Sequence, residues 1–197
     1  MRGTRHSATP RAGLAIRPGN PGRQGSIYVC SLAELSIHAK SLRPSHLVSL
    51  VPPHEQPPTP FCVQPAGHLR LELDDIEEPM PGHILPETDH VNALIEFARA
   101  WDGERPMLMH CAAGISRSMA AALAALCSRS NLSERQLADY LRQAAPHAKP
   151  NRRIARLADA LLDRRGHLLE AVDAMGPAET VTRGPLVRLS VALTRTW

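Results

Sequence analysis

Two spacings of apolar residues alternate along the first two thirds of the chain, and only one continues through the last third. Ser26 to Cys30, His46 to Val51 and Pro106 to His110 are short runs dense in apolar residues, and His68 to Leu73 sets Leu69, Leu71 and Leu73 on one face. A period of two residues is that of a strand, so these four segments predict strands. Ser31 to Lys40 predicts a helix, and Glu87 to Trp101 carries Val91, Leu94, Ile95 and Ala98 at the spacing of a helix with one buried stripe. From Arg117 onward the pattern is helical, with segments at Arg117 to Cys127, Ser133 to Ala145, Asn151 to Arg165 and Leu168 to Met175. Asn131 or Ser133 can cap the second of these, and Pro150 with Asn151 marks the entry to the third. Strands joined by helices and followed by helices predict an α/β fold, a single mainly parallel sheet flanked by helices.

Prolines divide these elements. PPHEQPPTP after the second strand and EEPMPGHILP before Glu87 lack amide donors at the prolines and hold fixed backbone angles, so both predict loops. Residues 1–25 mix Gly, Pro, Ser and Arg without one acidic residue, the composition of a flexible lead. Residues 26–176 form the expected folded unit. Residues 177–197 are expected as an extension, either an edge strand or loose chain. One domain of this length, 43% hydrophobic, can bury a core without disulfide staples.

Cys30, Cys62, Cys111 and Cys127 lie far apart and match neither a disulfide scaffold nor a zinc knuckle, which points to a reducing cytoplasm. The apolar run Met119 to Cys127 is about half of a membrane crossing, so no transmembrane segment is expected. The net charge of +4 favours anionic partners, yet no zinc-finger spacing or aromatic-basic motif accompanies it, and no obligatory nucleic acid is expected. HxH, HExxH and compact Cys/His spacings are absent from the sequence, so neither metal nor cofactor is expected.

The candidate chemistry lies where the fourth strand meets the following helix, in His110-Cys111-Ala112-Ala113-Gly114-Ile115-Ser116-Arg117-Ser118. Five residues separate the thiol of Cys111 from the guanidinium of Arg117. A loop this short can wrap the backbone N–H groups of Ala112 to Ser116 around a tetrahedral anion while the helix turns its positive end toward it. Gly114 permits the tight turn, and Arg117 can donate paired, charge-assisted hydrogen bonds to phosphate oxygens. The same field favours the thiolate of Cys111, so the anion site also makes a nucleophile. Ser118 is placed to donate to the sulfur, and His110 to fix the loop by hydrogen bonds.

HCAAGISRS resembles the active-site loop of the protein tyrosine phosphatase superfamily, most of all its compact dual-specificity and bacterial members. The resemblance is carried by His110, Cys111, Gly114, Arg117 and Ser118. It implies hydrolysis of phosphate monoesters through a phosphocysteine, on protein phosphotyrosine or with dual specificity. A phosphorylated protein or another phosphate monoester is the implied partner. Two alternatives stay open: a phosphopeptide-binding adaptor without turnover, and a phosphoinositide phosphatase. Against the latter, Ala112, Ala113, Ile115 and Ser116 carry no further cation for a multiply charged headgroup.

Departure of the leaving group calls for a proton, and a carboxylic acid on a second loop supplies it. Asp74 and Asp75 follow the LRLEL strand and open the proline-rich excursion. Asp75 is favoured because it opens the loop and its Asp-Ile step resembles related bacterial sequences, with Asp74 either the alternative acid or a residue that aligns or caps the loop. Glu77 and Glu78 read as surface residues. Farther along, Asn151 reads as a helix cap, Arg152 and Arg153 as rim candidates, and Trp101 as a helix-end packing residue.

Overall fold

The computed structural model describes residues 25–191. The expected flexible lead, apart from Gly25, and the tail from 192 on, Trp197 included, lie outside the described residues. Among the described residues five strands and six α-helices follow one another as β1 (Ser26–Ser31), α1 (Leu35–Leu42), β2 (His46–Val51), β3 (His68–Glu72), α2 (Thr88–Ala100), β4 (Met107–Cys111), α3 (Arg117–Arg129), α4 (Glu134–Ala144), α5 (Arg152–Leu161), α6 (His167–Asp173) and β5 (Val187–Ser190). They form one sheet in the order β3-β2-β4-β1-β5. The pairs β1 with β4, β2 with β4 and β2 with β3 are parallel, and β5 joins β1 antiparallel. The mainly parallel sheet flanked by helices is thus the observed fold, and the C-terminal extension supplies the edge strand.

Strand alternation sorts the core onto two faces. Ile27, Val29, Val48, Leu50, Met107 and Met109 face α2 to α6, whereas Cys30, Leu47 and Leu108 face α1 through Leu35 and Ala39. β4, covered on both faces, is fully buried, the pattern expected of a central parallel strand. α3 is buried from Arg117 to Cys127, and its alanines allow neighbouring helices to approach on every side. Its larger side chains Met119, Leu123 and Leu126 are sealed from water, each contributing about 2 kcal/mol by burial.

Local differences from the sequence expectation have local causes. The first helix begins with a 3-10 turn, Leu32–Glu34, before α1 proper. Ser133, not Asn131, caps α4, completing a reciprocal pair with Gln136. α5 ends at Leu161 because Asp163, Arg165 and Gly166 take positive φ. That reversal is held by the Asp159 carboxylate, which accepts from the amides of Gly166 and Leu168. PPHEQPPTP contains one short 3-10 turn, Pro53–Glu55. Trp101 is buried at the end of α2, its indole donating to the Arg105 carbonyl at 2.8 Å beneath the Arg129 guanidinium. Among the described residues no helix is long and apolar enough to cross a membrane.

Candidate active site

Parallel strands deliver their C-terminal ends to one edge of the sheet, the edge where ligands bind in open α/β folds. β4 ends there in Cys111, and β3 ends two residues before Asp74. The loop from Cys111 to Arg117 turns at Gly114, whose φ is +74°. A Cβ on Gly114 would lie 2.8 Å from the Cys30 carbonyl carbon, so both the backbone angle and the space demand glycine.

The loop's carbonyls are held outward. Ala112 O accepts from Leu32 N at 3.2 Å, Ala113 O from Gly184 N at 2.9 Å, Ile115 O from Lys149 N at 3.0 Å and Ser116 O from Ala120 N at 3.0 Å. Peptide planarity then turns the next amide of each pair to the opposite side. The N–H of Gly114 shows the result, pointing at Cys111 Sγ at 3.3 Å. Ser118 Oγ lies 3.1 Å from the same sulfur.

Arg117, the first residue of α3, is only 6% exposed. Its Nη1 donates to the Leu73 carbonyl at 3.0 Å, and its Nε faces Asp75 Oδ2 at 3.8 Å without a hydrogen-bond acceptor of its own. The loop thus places a buried guanidinium with one unpaired N–H near an amide directed at the sulfur.

Asp74 and Asp75 separate by direction. The Asp74 carboxylate accepts from Ile84 N at 2.8 Å while its own amide donates to Ile84 O at 2.8 Å, so Asp74 clasps the two ends of the excursion. Asp75 turns toward the phosphate-sized loop, where Oδ1 accepts from Ser116 Oγ at 2.7 Å and from Asn151 Nδ2 at 2.9 Å. Asn151 also caps α5 by accepting from Ile154 N. Its amide is a site contact that its capping pattern in the sequence did not reveal. Of the two rim candidates, Arg152 lines the cleft beside Asp75 and Ser116, and Arg153 is turned to the start of α2. Arg152 pairs with Asp173 at 2.7 Å, and Arg153 with the Pro86 carbonyl and Glu87. Glu77 accepts from the Arg152 amide. His83 and His90 are satisfied locally, by Pro81 O and the Glu87 amide.

Behind Cys111 runs a buried polar chain that no local pattern announced. Arg70 donates to Thr59 Oγ1 at 3.0 Å, Thr59 Oγ1 meets His68 Nδ1 at 2.9 Å, and Ser49 Oγ bridges His68 Nε2 at 2.8 Å and His110 Nε2 at 2.7 Å. Arg70 donates to Thr59, and the hydroxyls of Thr59 and Ser49, each able to donate once and accept twice, link the two rings into one chain. Burial, with neighbouring His68 second, pushes His110 down to about 4, and burial with Arg70 does the same to His68. Both rings are neutral at pH 7. His110 therefore supports the loop and has no charge to contribute to the thiol. Burial pushes the thiols of Cys30 and Cys127 up to about 12, which leaves them protonated.

No family model and no curated protein sequence matches the chain. Solved structures do. DUSP15 superposes with a TM-score of 0.54 at 20% identity, over 80% of this chain and 94% of that one. Human DUSP28 gives 0.54 at 18% identity, over 81% and 99%. The Yvh1 phosphatase domain from Chaetomium thermophilum gives 0.51 at 21% identity, over 72% and 93%. At such identities the likeness is one of fold: over most of its length the chain shares the fold of these phosphatase structures.

Proposed function

We propose that the chain is a metal-independent phosphatase of phosphate monoesters, acting on protein phosphotyrosine or with dual specificity. Cys111 Sγ attacks phosphorus as the thiolate, forming the S–P bond as the P–O bond to the leaving group breaks. Asp75 gives that oxygen a proton. The amides from Ala112 to Arg117 and the Arg117 guanidinium hold the nonbridging oxygens through the transition state. In the second half Asp75, now a carboxylate, takes a proton from the attacking water. The S–P bond breaks, phosphate departs, and Ser118 donates to the returning thiolate. His110 and Asp74 are positioning residues, the first beneath the nucleophile and the second at the neck of the acid loop.

The observation that carries this reading is the convergence on one loop of an amide aimed at the Cys111 sulfur, a buried guanidinium with an open donor, and the Asp75 carboxylate. A cleft of about 500 Å3 opens on the Asp75 side, lined by Ser116, Lys149, Pro150, Val172 and Met175. The body of a substrate lies there when its phosphoryl group faces Cys111. All four cysteines are free, as a thiol-dependent enzyme in a reducing cytoplasm requires.

Purified protein under reducing conditions, given phosphotyrosyl, phosphoseryl and phosphoinositide substrates between pH 5 and 8, is expected to release phosphate. Cys111→Ser is expected to retain phosphopeptide binding and lose release. Binding by both proteins with release by neither would replace the enzyme with a phosphopeptide adaptor.

A further inference from the structure

Resting on the phosphatase reading, we propose that the C-terminal extension is part of the anion site, with Gly184 as a positioning residue that sets the two central peptide planes of the phosphate-sized loop. The extension leaves α6 and runs back past the loop before entering the sheet. It is tied down on both sides of Gly184. Glu179 N donates to Pro146 O at 3.0 Å, and β5 pairs with β1 from Val187 to Ser190. Ser190 N donates to the buried Tyr140 hydroxyl at 2.8 Å. Between these anchors Gly184 N donates to Ala113 O at 2.9 Å.

The carbonyl of Ala113 and the amide of Gly114 belong to one rigid plane. Holding Ala113 O from behind aims the Gly114 N–H forward, and that N–H is the one directed at Cys111 Sγ at 3.3 Å. The clamp is close. A Cβ on Gly184 would stand 2.8 Å from Gly114 O and 2.6 Å from His147 Nε2. The extension thus touches the carbonyls of two successive loop residues, Ala113 and Gly114, and no larger residue fits without moving the loop or the ring. His147 is buried, and its Nε2 has no hydrogen-bond partner, so the ring is a tight wall with no hydrogen bond to guide it aside. Three of the outward carbonyls are held from elsewhere in the fold, by Leu32, Lys149 and Ala120, but the plane that faces the sulfur is held only by the extension among the described residues.

The test compares wild type, Gly184→Ala and Val181→Ala, the last an exposed position on the same extension. Three quantities are read: kcat/KM on an aryl phosphate, the inhibition constant of inorganic phosphate, and the pH midpoint of iodoacetamide alkylation at Cys111. Gly184→Ala is expected to lose about a hundredfold in kcat/KM, the scale for a displacement of reacting groups near 1 Å. Phosphate inhibition is expected to weaken at least tenfold, with the alkylation midpoint moving to higher pH, and Val181→Ala to match wild type. If Gly184→Ala does not fold, Gly184→Ala in a His147→Ala background removes the ring contact and leaves the methyl against Gly114 O alone, with His147→Ala as its control. A folded Gly184 variant with wild-type phosphate inhibition and alkylation midpoint overturns the proposal. If wild type releases no phosphate from any substrate, the phosphatase reading fails by itself, and the alkylation midpoint still decides the clamp: a shift supports it and its absence overturns it.

Discussion

Asp75→Asn separates proton donation from architecture better than any other single change at this site. The carboxylate accepts from Ser116 Oγ at 2.7 Å and Asn151 Nδ2 at 2.9 Å through one oxygen, and the other faces Arg117 Nε at 3.8 Å. An asparagine has the same shape and keeps one oxygen for both hydrogen bonds. What it loses structurally is the attraction to Arg117. With Asp75 38% exposed in that pair, the loss is about 1 kcal/mol or less, a shift in Tm of only about 2 to 4 °C. What it loses chemically is the proton, and general acid catalysis is worth roughly 10²- to 10⁴-fold, or about 3 to 5 kcal/mol of barrier. The assay is kcat on a phosphoseryl peptide, whose leaving alkoxide needs that proton, against 4-nitrophenyl phosphate, whose phenolate departs with little help. Asp75→Asn is expected to slow the first by at least a hundredfold and the second far less. Asp74→Asn, which disturbs only the clasp with Ile84, is expected to slow both about equally. Equal slowing by Asp75→Asn, or a leaving-group effect that appears in Asp74→Asn instead, would refute the assignment.

Ser49→Ala leaves Nε2 of His68 and of His110 buried without partners, at roughly 1 to 3 kcal/mol for each orphaned group. Thermal denaturation is expected to show a Tm at least 5 °C lower, and an unchanged Tm would break the polar chain behind Cys111. Acid sensitivity follows from the same rings. In the unfolded chain His110 takes up a proton near pH 6.5, whereas in the folded protein burial delays this to about 4, a difference worth roughly 3 kcal/mol. Stability is therefore at its full value above about pH 6.5 and declines as pH falls toward 4, with His68 acting in the same direction. A denaturant midpoint that stays flat from pH 7 to 4.5 would contradict this.

The features legible along the chain are those that neighbours in sequence decide. Strand and helix periods depend on residues two to four positions apart, so β2 was recognised at the same bounds and α2 within one residue at either end. The phosphate-sized loop is equally local, because five residues between a strand and a helix have little freedom beyond curling around a small anion. Its resemblance to a known active-site loop therefore lies in the sequence itself. Asp74 and Asp75 mark the limit. Adjacent side chains at the end of a strand point in different directions, and only the positions of Ile84, Ser116 and Asn151 show which carboxylate meets the loop. Those partners lie 10, 41 and 76 residues away. The bridge from Ser49 to His110 spans 61 residues, and Gly184 reaches Ala113 from an extension whose sequence read equally as edge strand or loose chain. Which strands lie side by side decides such meetings, and strand order is the outcome of burying one sheet on both faces, a property of the whole chain that no short window of residues contains.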